Sequence, residues 1–300
     1  MSNNPPTPSF LPDGHLPAAA AHAAILLPGL GLAVPVLCWA RWRDRSPAVG
    51  EQALQALLYQ LCGVLYVALL AVGAGLVALA VLLATQADGR AALLAGWQRP
   101  AARVTAGLLA VYILPALAGA GASLSGRRFS YPYLGAWLRR SLAGLYDPEG
   151  AVPAQERWLA ALAHASQMAL VFGPLVPLAA LLAARDATVW LRRQARQALV
   201  YQVSGLILAF LLLAAWIASV LPLLIAAGVL TFGSQTLDTL PPAALVAPFG
   251  CTSILLVLGI LAWPVYATLP VLAMIRLLQG QDYRYPALGR RPSHKNDVLA

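Results

Sequence analysis

Four pairs of polar residues sit in or beside apolar stretches of this chain, each separated by 142 positions: His22 and His164, Gln55 and Gln197, Tyr59 and Tyr201, Gln60 and Gln202. Two charged dipeptides, Arg43-Asp44 and Arg185-Asp186, keep the same spacing. An ionisable group inside an apolar segment is costly and is a functional suspect by default. Near neutral pH a histidine could pass a proton or hold a cation. The plainer role, which the residues favour, puts each histidine near a helix end, bonded to a neighbouring carbonyl or tyrosine. Gln194, Gln197 and Tyr201 fall at i, i+3 and i+7, one face of a helix, and Gln52, Gln55 and Tyr59 repeat the pattern. That face could line a solute path between two pseudo-symmetric halves. It could instead make interhelical hydrogen bonds, which the residues favour. The Arg-Asp pairs suit an interfacial loop, paired with lipid headgroups or a neighbouring helix.

Enzyme signatures are missing from the sequence. It has no Gly-x-Ser-x-Gly, no His-Glu-x-x-His and no phosphate-binding glycine loop. Cys38, Cys62 and Cys251 show no Cys-x-x-Cys spacing, so neither a disulfide framework nor a zinc site is expected. The reading is of a non-enzyme with no cofactor and no metal.

The elements that position these residues come from a duplication. Residues 22–60 align with 164–202 without a gap, and fourteen positions are identical, including His22/His164, Gly31/Gly173, Pro35/Pro177 and Gln52/Gln194. Shared Ala and Leu carry little weight in an apolar chain, but shared His, Arg-Asp and Tyr-Gln at one offset mean a repeated unit. The units end alike, in Gly126-Arg-Arg-Phe-Ser-Tyr131-Pro132 and Gly280-Gln-Asp-Tyr-Arg-Tyr285-Pro286.

Composition places both units in a bilayer. Hydrophobic residues make up 60% and charged residues 10%, against about 25% charged in a soluble domain. No Asp, Glu, Lys or Arg occurs in 14–40, 52–87, 104–126, 158–184, 197–237 or 239–275. Each gap holds the roughly 20 apolar residues of a spanning helix, and lipid leaves the backbone no other bonded form. The net charge of +9 does not imply nucleic acid: the arginines fall at the ends of apolar runs, where they fix orientation. The expected partners are the lipid bilayer and either other membrane proteins or a second copy of the chain.

The predicted fold is an all-α integral membrane protein with two tandem three-segment units. About six transmembrane segments are expected, with a range of six to eight. The organisation read from the sequence is a disordered tail over 1–17, repeat 1 over 18–135, a polar linker over 136–155, repeat 2 over 156–289 and a basic tail over 290–300. A short amphipathic helix is expected at 136–146, a kink or break at Pro222, and kinks in 239–278 from its prolines. The terminal Tyr131 and Tyr285 are expected at headgroup level.

The first segment of each unit carries Pro and Gly at its middle, Pro28-Gly-Leu-Gly31 with Pro35 in one and Gly173-Pro-Leu-Val-Pro177 in the other. It is either a kinked single span or a re-entrant pair of half-helices. The basic loops 41–45, 127–140 and 185–196 and the C-terminal tail all face one side only if this segment returns to its starting side. The charges therefore favour the hairpin over an inverted repeat. By the positive-inside rule that side, with the C-terminal tail, is cytoplasmic, and the membrane is the bacterial inner one.

The order of motifs is recognisable: Glu156-Arg-Trp-Leu-Ala-Ala-Leu-Ala-His164, Arg185-Asp186, Arg196-Gln-Ala-Leu-Val-Tyr-Gln202, then Gly280-Gln-Asp-Tyr-Arg-Tyr-Pro286. It resembles a family of small bacterial and archaeal membrane proteins of uncharacterised function, remotely similar to the twenty-kilodalton subunit of the chloroplast inner-envelope protein translocon. Repeat 1 is a degraded copy, without the Glu-Arg start and with Arg127-Arg128 in place of Gln281-Asp282. The resemblance implies a membrane fold and brings no established chemistry. The function expected is a scaffold or assembly factor, with a small-solute or polypeptide conduit between the repeats as the alternative.

Overall fold

The computed structural model describes residues 14–84, 87–144, 152–226 and 242–286. Of the tail expected over 1–17, residues 1–13 lie outside the described residues and 15–17 open α1; the basic tail after 289 and 145–151 of the linker also lie outside them. Nine α-helices occur among the described residues: α1 (His15–Ala23), α2 (Ala33–Trp42), α3 (Pro47–Ala84), α4 (Ala87–Leu124), α5 (Leu134–Gly144), α6 (Ala154–Ala165), α7 (Leu175–Ala183), α8 (Val189–Ala226) and α9 (Pro242–Leu278).

The fold is all-α and membrane-embedded. Among the described residues four stretches are long and apolar enough to cross a bilayer: Pro47–Ala78 of α3, Arg99–Leu124 of α4, Val189–Leu221 of α8 and Ala247–Leu278 of α9. The remaining two apolar segments, the first of each repeat, are not continuous helices, so the described spans number four where apolar length alone suggested six to eight.

Backbone chemistry explains the break. In repeat 1, α1 passes into a 3-10 turn at Ala24–Leu26, Pro28 follows, and Gly29 takes φ +71 before the chain re-enters helix. A second 3-10 turn at Leu30–Leu32 leads into α2. In repeat 2 the 3-10 stretch Ser166–Phe172 turns at Leu170, whose φ is +50, and Pro174 precedes α7. Proline cannot donate the helical hydrogen bond, and in repeat 1 glycine supplies the positive φ, whereas in repeat 2 Leu170 takes it and Gly173 stays right-handed. The short halves cannot span, since they are 9–12 residues long and a crossing takes about 20.

By contrast, α8 runs without a break past position 222 to Ala226. Pro248, Pro264 and Pro270 lie inside α9 without ending it. Neighbouring helices and local adjustments let spanning helices tolerate proline. The amphipathic helix expected at 136–146 is α5, which buries Leu138 and leaves Arg139 and Arg140 outside.

Both repeats start at the same end of the molecule. Glu156, on α6, accepts hydrogen bonds from the Thr188 N–H and hydroxyl at the start of α8. The same carboxylate pairs at 3.6 Å with Arg43, beside the start of α3. One side chain therefore touches the origins of both long helices. The repeats are parallel, and each broken first segment returns to the side it left.

The tightest packing lies at that end. Trp39 and Trp158 are fully buried, Trp39 Nε1 donates to Gln155 Oε1 at 3.1 Å, and Trp137 meets Trp158 edge-on at 5.0 Å. The contacts between repeats run mainly from α2 to α7 and from α3 to α6. Further along, the spanning helices expose Leu69, Leu76, Leu211 and Leu261. That pattern suits a bilayer, where apolar surface facing lipid carries no cost.

Candidate functional site: two buried histidine–tyrosine–glutamine networks

Each repeat encloses its histidine in the same network. His22 and His164 have no exposed surface. His22 Nδ1 lies 2.8 Å from the Tyr131 hydroxyl, and His164 Nδ1 lies 2.8 Å from the Tyr285 hydroxyl. His22 Nε2 is 3.0 Å from Gln52 Oε1, and His164 Nε2 is 3.2 Å from Gln194 Oε1.

The glutamines fix the protonation. Gln52 Nε2 donates to the Phe129 carbonyl at 2.8 Å. Gln194 Nε2 donates to Asp282 and to the Tyr283 carbonyl. Each amide oxygen is thereby turned toward the imidazole, and it can only accept. The network assigns the proton to Nε2 and leaves Nδ1 to accept from the tyrosine hydroxyl. Both imidazoles are neutral and fully bonded. Burial lowers the pKa of His22 and brings that of His164 down to about 4; the glutamine hydrogen bonds oppose this only partly. Burial pushes the Tyr131 and Tyr285 hydroxyls well up, which keeps them as donors.

Local sequence sets this geometry. α4 and α9 end at Gly126 and Gly280, with φ of +74 and +80. The Gln281 N–H returns to the Arg276 carbonyl and the Gly280 N–H to Leu277, a Schellman closure. Arg127 and Gly126 bond the Ala122 and Ser123 carbonyls in the same way. The chain then folds back across α3 or α8, and five residues after each glycine its tyrosine meets the histidine. Tyr131 and Tyr285 are therefore buried network members, facing the protein interior. The hydroxyl has a partner inside, so burial satisfies both the ring and its polar tip.

The other paired residues brace the same place. Tyr59 stacks on Tyr131, and Tyr201 on Tyr285, each at 4.0 Å between ring centroids. The Tyr59 hydroxyl donates to the Tyr112 carbonyl at 2.9 Å, and the Tyr201 hydroxyl to the Tyr266 carbonyl at 2.8 Å. These bonds tie α3 to α4 and α8 to α9. Gln60 Nε2 donates to the Ala21 carbonyl at 3.1 Å. Gln202 Nε2 donates to the Ala163 carbonyl at 2.8 Å and to Ser166 Oγ at 3.2 Å. They satisfy carbonyls at the last turns of α1 and α6. Gln55 is buried and donates to Glu51 at 3.0 Å; Gln197 is half-buried. The His–Tyr–Gln groups are thus brought together within each repeat, not between repeats.

The two Arg-Asp pairs diverge. Arg43 lies over the Trp39 ring at 4.4 Å, reaches Glu156 and pairs at 3.3 Å with exposed Asp44. Arg185 and Asp186 are both exposed. Glu156 opens repeat 2 in the sequence without standing out as a site residue, yet it is buried and joins the repeats. Its signal was its place beside Trp158, at the start of an apolar helix. Gln52 and Gln194 belong in the site as well; their identity across the repeats was the available signal. Among the described residues no group of three His, Cys, Asp or Glu side chains could hold a metal.

This architecture defines a tandem-repeat, multi-pass membrane protein whose buried polar residues form duplicated structural networks. The chain belongs to the magnetosome magnetite crystal formation protein family, whose model matches it twice, over 14–138 and 155–291. The two matches coincide with the two repeats. They support the two-copy membrane-family resemblance and lend nothing to the likeness to the translocon subunit. In comparisons with curated proteins and with solved structures, nothing matches.

Proposed function

We propose that this chain is a non-enzymatic scaffold of a bacterial cytoplasmic membrane or a compartment derived from it, acting through contacts of its spanning helices with other membrane proteins or with lipid. The observation that carries this reading is the closure of each His–Tyr–Gln network within its own repeat. A histidine that binds a cation needs an open ring nitrogen, and here all four ring nitrogens are engaged by side chains of the same repeat, with no exposed surface from which a proton could pass to solvent either. The repeats meet chiefly through the short helices at one end, which favours a rigid base carrying lipid-facing helices over a shared channel wall.

The family description supports a place for this scaffold where magnetite crystals form. The role that fits is shaping that membrane or recruiting its proteins. Hard cations and mineral surfaces call for clustered oxygen ligands, and the chain carries 11 acidic residues against 20 basic ones.

The test combines two measurements on the intact protein. Photo-crosslinking residues at exposed Leu69 and Leu261 should give discrete adducts in native membranes, while liposomes holding the pure protein should stay tight to small solutes. Solute flux that disappears when Gln55→Leu and Gln197→Leu are combined would establish the conduit and overturn the scaffold.

A further inference from the structure

The two repeats differ in how their spanning pairs close. α3 and α8 have the same length and register at an offset of 142, so Ala74 occupies the position of Trp216 and Val77 that of Ser219. In repeat 2, Trp216 Nε1 donates to Ser253 Oγ on α9 at 3.2 Å, and the Ser219 and Thr252 hydroxyls bond at 2.6 Å. Ala74 and Val77 can form neither bond. Between α3 and α4 a cavity of about 830 Å³ remains instead, lined by Leu70, Ala74, Val77, Val104 and Leu108 among other apolar residues.

Its dimensions select an occupant. The lining runs from Tyr66 to Ala78 on α3 and from Pro100 to Leu109 on α4, rises of about 18 and 14 Å at 1.5 Å per residue. Half of a bilayer's hydrocarbon core is about 15 Å. The deep end is shut, because Tyr112 packs so closely on Gly63 that a Cβ there would collide with its ring. A groove one leaflet deep, closed at the midplane and lined almost wholly by apolar side chains suits hydrocarbon chains. It lies in the half of α3 remote from the short helices.

We propose that the α3–α4 groove binds the acyl chains of a phospholipid from that leaflet, which fills in repeat 1 the space that Trp216 fills in repeat 2. This goes beyond the scaffold reading and does not depend on it.

Native mass spectrometry of the full chain, released from bilayer discs of defined phosphatidylethanolamine and phosphatidylglycerol, tests it. Wild type should retain a phospholipid, Ala74→Trp should lose it, and Trp216→Ala should retain one more than wild type. Wild type without lipid, or Ala74→Trp with lipid occupancy unchanged, overturns the proposal. So does an Ala74→Trp effect confined to dimer formation, which would give the groove to a second copy. Should Ala74→Trp fail to fold, Trp216→Ala decides alone: a gained lipid supports the proposal and no gain overturns it.

Discussion

Arg43 of the first repeat and Glu156 of the second form a buried ion pair at 3.6 Å, with only 9% and 4% of their side-chain surfaces exposed. The same carboxylate caps α8 through Thr188, so one acid joins the repeats and starts a spanning helix. Removing one partner of a buried pair leaves a charge without compensation. Glu156→Gln should lower stability by about 3 kcal/mol. Arg43→Met with Glu156→Gln should be milder than Glu156→Gln alone. Thermal unfolding of the purified variants checks this order, and equal loss in both would remove the pair from the account.

Tyr285→Phe keeps the ring stacked on Tyr201 and deletes only the hydroxyl that bonds His164. A buried acceptor left unsatisfied costs about 1–3 kcal/mol. Tyr131→Phe should cost a similar amount through His22. Unfolding midpoints indistinguishable from wild type for both variants would show that the hydroxyls are not structural.

The networks also predict the pH response. A histidine held neutral in the fold has a folded pKa below its unfolded value, so the unfolded chain takes up the proton first as pH falls. Stability is complete above about pH 6.5 and declines toward pH 4, where His164 titrates in the fold. His164 contributes a loss of about 1.4 kcal/mol per pH unit in that window, and His22, whose pKa burial also lowers, adds to it in the same direction. His164→Gln should flatten the decline between pH 6.5 and 4, measured by unfolding at graded pH. An unchanged slope would mean that His164 is not held neutral.

Close approach of helices gives a steric prediction. Gly63 and Gly205 lie against Tyr112 and Tyr266, where a Cβ would meet the ring or its hydroxyl. Gly63→Ala and Gly205→Ala should each cost about 1–3 kcal/mol by overpacking. Gly73→Ala should be silent, because nothing lies within 4 Å of its Cβ position. Parallel unfolding of all three variants distinguishes contact from helix propensity.

Much of this was legible in the sequence. The offset of 142 carried the duplication, and the charge-free runs carried the membrane. The basic loops favoured a returning first segment, as the breaks at Pro28-Gly29 and between Leu170 and Pro174 then produce. Apolar length overstated the spanning helices, because it cannot distinguish a helix from two halves around a proline. Polar partners separated by 30 and 109 residues, such as His22 with Gln52 and Tyr131, were named as paired motifs, but their meeting depends on α4 returning to the start of α3. The Arg43–Glu156 pair was hidden for another reason: repeat 1 has Gly14 at the position of Glu156, so the duplication carried no trace of it.

The most direct test of the central claim, two parallel repeats with re-entrant first segments, is labelling of Asp44→Cys and Asp186→Cys. Both positions are exposed, and the background should have Cys38, Cys62 and Cys251 replaced. The account predicts that a membrane-impermeant maleimide reaches both from the same side, with neither labelled in intact cells if that side is cytoplasmic. One position labelled from outside and the other from inside would mean that a first segment crosses the membrane, and the parallel architecture would be wrong.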